Sequence, residues 1–378
     1  MKLIHTSDLH LGKRVSEFSM LDDQRYILDQ IFEICVREQA DALLLAGDLY
    51  DRQVPSAEAV QLLDRFLTRF ADAEICVIAV SGNHDSAERN AFGAELMKSR
   101  GVYLSPVYNG EAQEVTLTDA YGPVHIWMLP FVRPSLVRHA LKRDNIETYQ
   151  DAVRAAVEEM KINPGDRNVL VAHQFVTGAG RCDSEEVAVG GVDNVDASVF
   201  EPFDYTALGH IHSPQWVGRE TLRYCGTPLK YSVSEAGQEK SVTKVCLGEK
   251  GAVTVTAIPL KPLQDLRTIR GTYLEVTSRS FYQESNQEDY VQVTLTDEED
   301  VPDAVQKLRV IYPNLLGLSY DNRRTRENRQ IGPVEEEQKK TDQELFEEFY
   351  ELQNNQPMSQ VQQEFIMELF AQIKGDGR

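Results

Sequence analysis

The sequence predicts a mixed α/β protein, a two-sheet sandwich flanked by helices, followed by a small α/β cap and a C-terminal helical segment. Three observations predict this. The runs HTSDLHLG, LLLAGDLYD, VSGNHD, VAHQF and LGHIHS are short β-branched or Leu-rich stretches closed by Gly or a polar turn, the mark of buried strands. Helical spacing falls between them at 22–38, 56–69 and 87–99. Strand patterns then predominate at 241–247 and 253–258, which fits two sheets with helices outside.

The C-terminal ends of these strands deliver nearly all the chemistry-bearing residues: Asp8 and His10, Asp48, Asn83 and His84, His173, and His210 and His212. A lone Asp or His after a strand is ordinarily a turn former. Here D-x-H and H-x-H place side chains i and i+2 on the same side of extended chain, where neighbours can grip one ion or two adjacent ions. Carboxylate, imidazole and one carboxamide suit manganese, iron or zinc, and no thiolate is offered for a structural zinc. Two dications would carry four positive charges against the two returned by Asp8 and Asp48, so the assembled centre attracts anions. Two metals about 3.5–4 Å apart clamp an in-line displacement, which points to hydrolysis at phosphorus.

The ordered set D-x-H, GD, GNHD, H and GH-x-H resembles the calcineurin-like metallophosphoesterases. The forms HTSDLHLG, AGDLYD, SGNHD and YTALGHIHSPQ, with the tail described below, are similar to the SbcD group of bacterial nuclease subunits, relatives of the eukaryotic meiotic-recombination nuclease. The resemblance implies two Mn2+ ions, with Fe or Zn as alternatives. One would be held by Asp8, His10, Asp48 and His212, the other by Asp48, Asn83, His173 and His210, with Asp48 shared. It leaves His84 to stabilise the pentacoordinate phosphate or protonate the leaving oxygen. Asp85, adjacent in sequence, is expected to orient the His84 ring and favour its cation, the alternative being a turn acid.

Gly12, Gly47, Gly82 and Gly209 sit beside these residues, where a missing Cβ allows sharp turns and close approach; ordinary loop glycine is the alternative. His5 reads either as support for the site or as core packing, and His125 and His139 as bystanders. Five cysteines, with no C-x-x-C pair, are expected to be reduced and mostly buried. No run approaches the roughly 20 apolar residues of a membrane span, and MKLIHTSD reads as a core strand, so a cytoplasmic protein is expected.

The net charge of −21 fits poorly with a polyanionic substrate, because binding to nucleic acid normally draws on a basic surface. Either local clusters supply it (Arg133, Arg138, Lys142 and Arg143, or Arg323, Arg324, Arg326 and Arg329) or a partner does. Both clusters can equally be read as solvated surface.

Four segments are expected: a catalytic domain over 1–260, a cap over 261–320, a polar linker over 321–341 and a helical segment over 342–378. In the cap, TYLEVT, YVQVTLT and LLGLSY read as strands and VPDAVQKLRVIY as a helix. The tail spaces Leu345, Phe349 and Leu352, then Met358, Val361, Phe365, Leu369 and Ile373, at three and four residues. Thr341 with Glu344 and Ser359 with Gln362 fit capping boxes, and Pro357 suits a helix start. Such a pair either folds back on its own domain or docks into another protein. The resemblance implies docking on an SbcC-type coiled-coil ATPase, a cap that shapes the DNA reaching the metals, and a homodimer within a heterotetramer. The activity it implies is cleavage of DNA ends and hairpins, exonucleolytic and endonucleolytic, in DNA repair and recombination. Phosphoesterase action on nucleotides or phosphoproteins, and a binding scaffold with a vestigial site, are the competing readings.

Overall fold

The computed structural model describes residues 1–185, 194–323, 325–326, 342–354 and 356–375. They divide into two units, Met1–Asp265 and Leu266–Arg378.

In the first unit, two six-stranded sheets face each other. One runs Val253–Pro259, Ser241–Leu247, Lys2–Thr6, Ala42–Ala46, Cys76–Val80, Val102–Leu104, with the last four strands parallel. The other runs Gln215–Val217, Arg219–Tyr224, Tyr205–Gly209, Arg167–His173, Gly122–Leu129, Gln113–Asp119, and its centre is also parallel. Parallel strands buried on both faces need continuous apolar runs. Ala42–Ala46 and Arg167–His173 are buried at every position. Leu44 and Ile78 from one sheet meet Ile126, Val169 and Val171 from the other in a shared core, where each large side chain contributes roughly 1.5–3 kcal/mol.

Helices cover the outer faces. Leu21–Glu38 buries Ile27, Ile31 and Ile34, and Ala57–Asp72 buries Leu63, Phe66 and Phe70. The two join where Phe32 meets Phe70 edge-on at 5.1 Å. Ser56 caps the second of them by accepting from the Ala59 amide. On the second sheet, Val153 and Ala156 of Tyr149–Glu158 pack with Leu129, Leu170 and Leu208.

Two expectations require correction. The stretch 87–99 is not one helix but two short ones, Ala87–Asn90 and Ala94–Lys98, because Gly93 turns the chain at φ +75°. In the second unit TYLEVT is not a strand. Thr272 caps the helical turn Tyr273–Val276, and Glu275 reaches back to the Thr272 amide at 2.7 Å. That T-x-x-E capping box decides for helix, and the strand lies just ahead of it at Leu266–Gly271.

Leu266–Gly271, Tyr290–Leu295 and Leu315–Tyr320 form a parallel sheet with Tyr290–Leu295 at its centre. It is closed by Val276, Leu308 and Tyr312. The tail forms the helices Asp342–Asn354 and Gln360–Gly375. Phe346 meets Phe370 edge-on at 6.0 Å, and Gln362 donates to the Tyr350 hydroxyl at 2.8 Å, so the two helices pack on each other. Gln362 also accepts from the Ser359 amide, one half of the expected capping box. Thr341 and most of the expected linker, including Arg324 and Arg329, lie outside the described residues. Among the described residues no helix is long and apolar enough to cross a membrane. All five cysteines are free thiols, Cys35 and Cys225 buried and Cys76, Cys182 and Cys246 half-buried.

Candidate metal centre

The parallel strands of both sheets end at one place. Asp8 and His10 follow Lys2–Thr6, Asp48 follows Ala42–Ala46, and Asn83 and His84 follow Cys76–Val80. From the other sheet, His173 closes its strand in register with Gly209, and His210 comes next. Sites form at the carboxyl ends of parallel strands because the loops diverge there. Here the first two loops are tied together instead: the Asp8 amide donates to the Gly47 carbonyl at 3.0 Å and the His10 amide to the Asp48 carbonyl at 2.9 Å.

Folding these residues inward strains the backbone. Asp8, His10, Asp48 and His210 all adopt positive φ, at +53°, +44°, +48° and +100°. Non-glycine residues hold such conformations at a cost on the order of 1–3 kcal/mol each, and only where their surroundings over-determine them. Glycine has no alternative at positions 47, 82 and 209; a Cβ on Gly82 would lie 2.0 Å from Asp48 Oδ1. A Cβ on Gly47 would lie 2.2 Å from His173 Nδ1, and one on Gly209 would lie 1.8 Å from the Ala46 carbonyl oxygen.

Asp8, His10, Asp48, His173 and His212 are buried side by side. Donor atoms of Asp8, His10 and His212 lie within 4.8 Å of one another, as do those of Asp8, Asp48 and His173 and those of His10, Asp48 and His84. His10 Nε2 faces His212 Nε2 at 3.1 Å and Asp48 Oδ2 at 3.7 Å. Asn83 Oδ1 meets His173 Nε2 at 2.9 Å and His210 Nδ1 at 3.0 Å, and Asp48 Oδ2 is 3.3 Å from His173 Nε2. The structure thus brings together all seven residues predicted to hold metal, with His84 beside them.

The donor chemistry fits divalent cations. Burial pushes His10 and His212 well below the ordinary histidine range, and burial with the neighbouring His173 takes His210 down to about 3, so these rings are neutral with available lone pairs. Lone pairs aimed at each other or at carboxylates repel unless a positive charge lies among them. His173 reports the same field. Burial opposes its cation, yet Asp48, and beyond it Asp8, raise the ring to about 9. The Ala46 carbonyl takes the Nδ1 proton of His173 at 2.9 Å, which turns Nε2 toward Asp48 and Asn83.

Asp85 does not orient His84. Its carboxylate accepts from the amides of Leu49, Tyr50 and Gly82 at 3.1, 3.0 and 2.9 Å, fastening the loop after Asp48 to the loop before Asn83. Buried amides in two converging loops need acceptors, and Asp85 is the carboxylate within reach. His84 is positioned instead by the Asp51 carbonyl, which accepts from its Nδ1 at 3.1 Å. His5, buried beneath the site, donates from Nε2 to Leu208 O at 3.2 Å and accepts the Tyr205 hydroxyl at Nδ1, 2.9 Å, so it links the two sheets. His125 pairs with Glu114 away from the cluster.

Five residues near the centre carry no signal in the sequence for the part they play. Phe131 stacks on His210 at 6.4 Å and Phe175 lies edge-on to it at 6.3 Å. Arg133, flagged in the sequence only as basic surface, lies over the first ring at 6.0 Å, and Arg181 lies over the second at 3.6 Å. Ser184 Oγ is 2.6 Å from His212 Nδ1, and Glu235 lies behind it at 2.6 Å; with Phe131 and Arg181 these stand outside every strand-end motif, whereas Phe175 closes the run VAHQF. Two others of the first expected basic cluster have partners. Arg138 donates to the Ile146 carbonyl and Arg143 binds Glu158 and Glu159. In the second, Arg326 is paired with Asp321.

The sequence model of the calcineurin-like phosphoesterases matches residues 1–214, and that of the type 5 capsule protein repressor C-terminal domain matches residues 262–354. The SbcD subunit of the SbcCD nuclease of Staphylococcus epidermidis (strain ATCC 12228 / FDA PCI 1200) is 34% identical over 380 residues, covering 99% of this chain and 99% of that protein. Among solved structures, a dimetal phosphatase from Danio rerio is 10% identical over 69% of this chain and 98% of its own, with a TM-score of 0.43. A protein of Thermus thermophilus is 13% identical over 68% of this chain and 98% of its own, with a TM-score of 0.37. A family match over residues 1–214 and a full-length relative at 34% identity place the chain in the calcineurin-like phosphoesterases and, within them, in the SbcD family of SbcCD nuclease subunits.

Proposed function

We propose that this chain is the nuclease subunit of an SbcCD-type complex, a manganese-dependent phosphodiesterase that cuts DNA ends and hairpins under the control of an SbcC-type coiled-coil ATPase. The observation that carries this reading is the convergence of seven metal-competent donors, two of them carboxylates, in a chain that aligns end to end with a nuclease subunit. Asp8, His10, Asp48 and His212 would hold one ion and Asp48, Asn83, His173 and His210 the other. When bound, such a pair supplies Lewis acidity at the phosphoryl group and raises the acidity of water.

The chain's own residues do the rest. The Asp51 carbonyl keeps the His84 proton on Nδ1, so proton exchange with the leaving oxygen falls to Nε2. Phe131 and Phe175 flank His210 and carry Arg133 and Arg181 on their faces, which supports a cationic rim for the phosphodiester despite the net charge of −21. Purified chain assayed with manganese on duplex, single-stranded and hairpin DNA tests the substrate. Cleavage of duplex ends and hairpins is expected, and turnover of nucleotides or phosphopeptides without DNA cleavage would overturn the proposal.

Two surfaces support partners. A cavity of about 920 Å³ between Ala57–Asp72 and the short helices after His84 is lined by Val60, Leu63, Leu67, Phe92, Leu96 and Met97. Phe92 and Leu96 are 85% and 81% exposed, which suits burial against a second copy. On the tail, Leu345, Phe349, Val361, Phe365 and Leu369 are exposed, which suits docking on the ATPase. Ending the chain before Asp342, or Phe365→Asp, is expected to abolish co-purification with the ATPase without loss of metal binding. Leu96→Glu is expected to yield monomers in sedimentation. An unfolded catalytic unit after truncation would tie the tail to the chain's own core, and unchanged association in either case would place that contact elsewhere on the chain.

A further inference from the structure

His212 is held at every polar atom. Its amide donates to Glu185 Oε1 at 2.7 Å, and its carbonyl accepts from Lys240 Nζ at 2.9 Å and from the Thr227 amide at 3.1 Å. Its ring Nε2 faces His10 Nε2 at 3.1 Å, while Nδ1 lies 2.6 Å from Ser184 Oγ. Ser184 in turn donates to Glu235 Oε1 at 2.6 Å.

Glu235 is fully buried, though it lies on the short segment Val233–Glu235 far from any predicted motif. Oε1 also accepts from the Ser232 hydroxyl at 3.0 Å and the Tyr231 amide at 3.2 Å. Oε2 accepts from Lys240 Nζ at 2.6 Å and the Thr227 hydroxyl at 3.1 Å. Lys240 is itself 5% exposed and also reaches Gln238 Oε1 at 2.8 Å. A buried carboxylate and ammonium are costly to desolvate unless they are paired and hydrogen-bonded, as Glu235 and Lys240 are here.

The direction of the bonds follows from the donor inventory. A carboxylate salt-bridged to Lys240 only accepts, so the single Ser184 hydrogen points to Glu235. The Ser184 oxygen must then accept from the imidazole, which puts the ring proton on Nδ1 and the lone pair on Nε2, facing Asp8 and His10. Histidines that bind metals are commonly oriented by a carboxylate on the far nitrogen. Here a serine stands between the two.

We propose that Ser184 and Glu235 form a positioning relay that fixes the tautomer and angle of His212 so that Nε2 is presented to a divalent cation. The inference rests on the proposed role of His212 as a metal donor. Neither residue touches the reacting phosphate, and both act through the ring.

The test is manganese titration of the full-length apo protein, counting bound ions by the loss of the free Mn2+ paramagnetic resonance signal. Ser184→Ala is expected to weaken one of two manganese equivalents by roughly 10–100-fold, as loss of such partners does elsewhere, while the other equivalent and the melting temperature of the apo protein stay unchanged. Ser184→Thr, which keeps the hydroxyl, is expected to restore the affinity. Glu235→Gln is expected to weaken the same equivalent, and Ser184→Ala decides the question whether or not that variant folds. Full affinity at both equivalents in Ser184→Ala would overturn the relay if His212→Ala loses one of them. If His212→Ala keeps both, the ligand assignment itself falls, and the relay with it.

Discussion

Asp48→Asn is expected to remove the activity and most of the manganese. Asp48 lies within reach of His10 on one side and of His173 on the other, at 3.7 and 3.3 Å, so it is the carboxylate available to both proposed ions. Burial acts against its charge, but the His173 cation outweighs that and keeps Asp48 an anion well below the ordinary carboxylate range. An asparagine there offers a neutral oxygen and removes one negative charge from a cluster whose only other proposed carboxylate donor is Asp8. Metal catalysis supplies several kcal/mol of charge stabilisation, so its loss corresponds to a rate decrease of roughly 10³-fold or more. Elemental analysis and nuclease assays on the same sample check this. Two retained ions with near-normal turnover would show that Asp48 is not shared.

His84→Gln is expected to fail differently, keeping both manganese equivalents while turnover falls by roughly 10²–10³-fold, the range for loss of one transition-state stabiliser. The glutamine carboxamide can still donate to the Asp51 carbonyl, which His84 now reaches at 3.1 Å, so the loop should hold its shape. It cannot exchange a proton. The loss should therefore appear in kcat at saturating DNA. A variant emptied of metal would instead make His84 a ligand, a role its donor atom's position within 4.8 Å of His10 and Asp48 also permits. Titration and kinetics on one preparation separate the two.

Much of the fold was legible because its periods are local. Buried parallel strands are written as unbroken apolar runs, and Ala42–Ala46 or Cys76–Val80 can be read directly from such runs. The helices Leu21–Glu38 and Ala57–Asp72 follow from their spacing to within a few residues. TYLEVT misled because alternation over six residues also suits a capped helical turn, and the Thr272 to Glu275 box outweighs it. The break at Gly93 is equally local, but a longer apolar pattern runs across it and hides it.

By itself the sequence determined which donors this protein owns and that they close successive strands, since residue type and strand period are properties of short segments. Only the tertiary structure decided what each donor faces. Asp85 sits next to His84 in the chain yet serves amides at positions 49, 50 and 82, and Arg143 reads as a cation until Glu159 is brought beside it. Ser184 and Glu235 stand 51 residues apart and meet behind His212 only because the sheets bring the loops together. Hydrogen bonds and ion pairs act over about 3–4 Å, so a partner distant in sequence is set by packing and leaves no periodic trace in the chain.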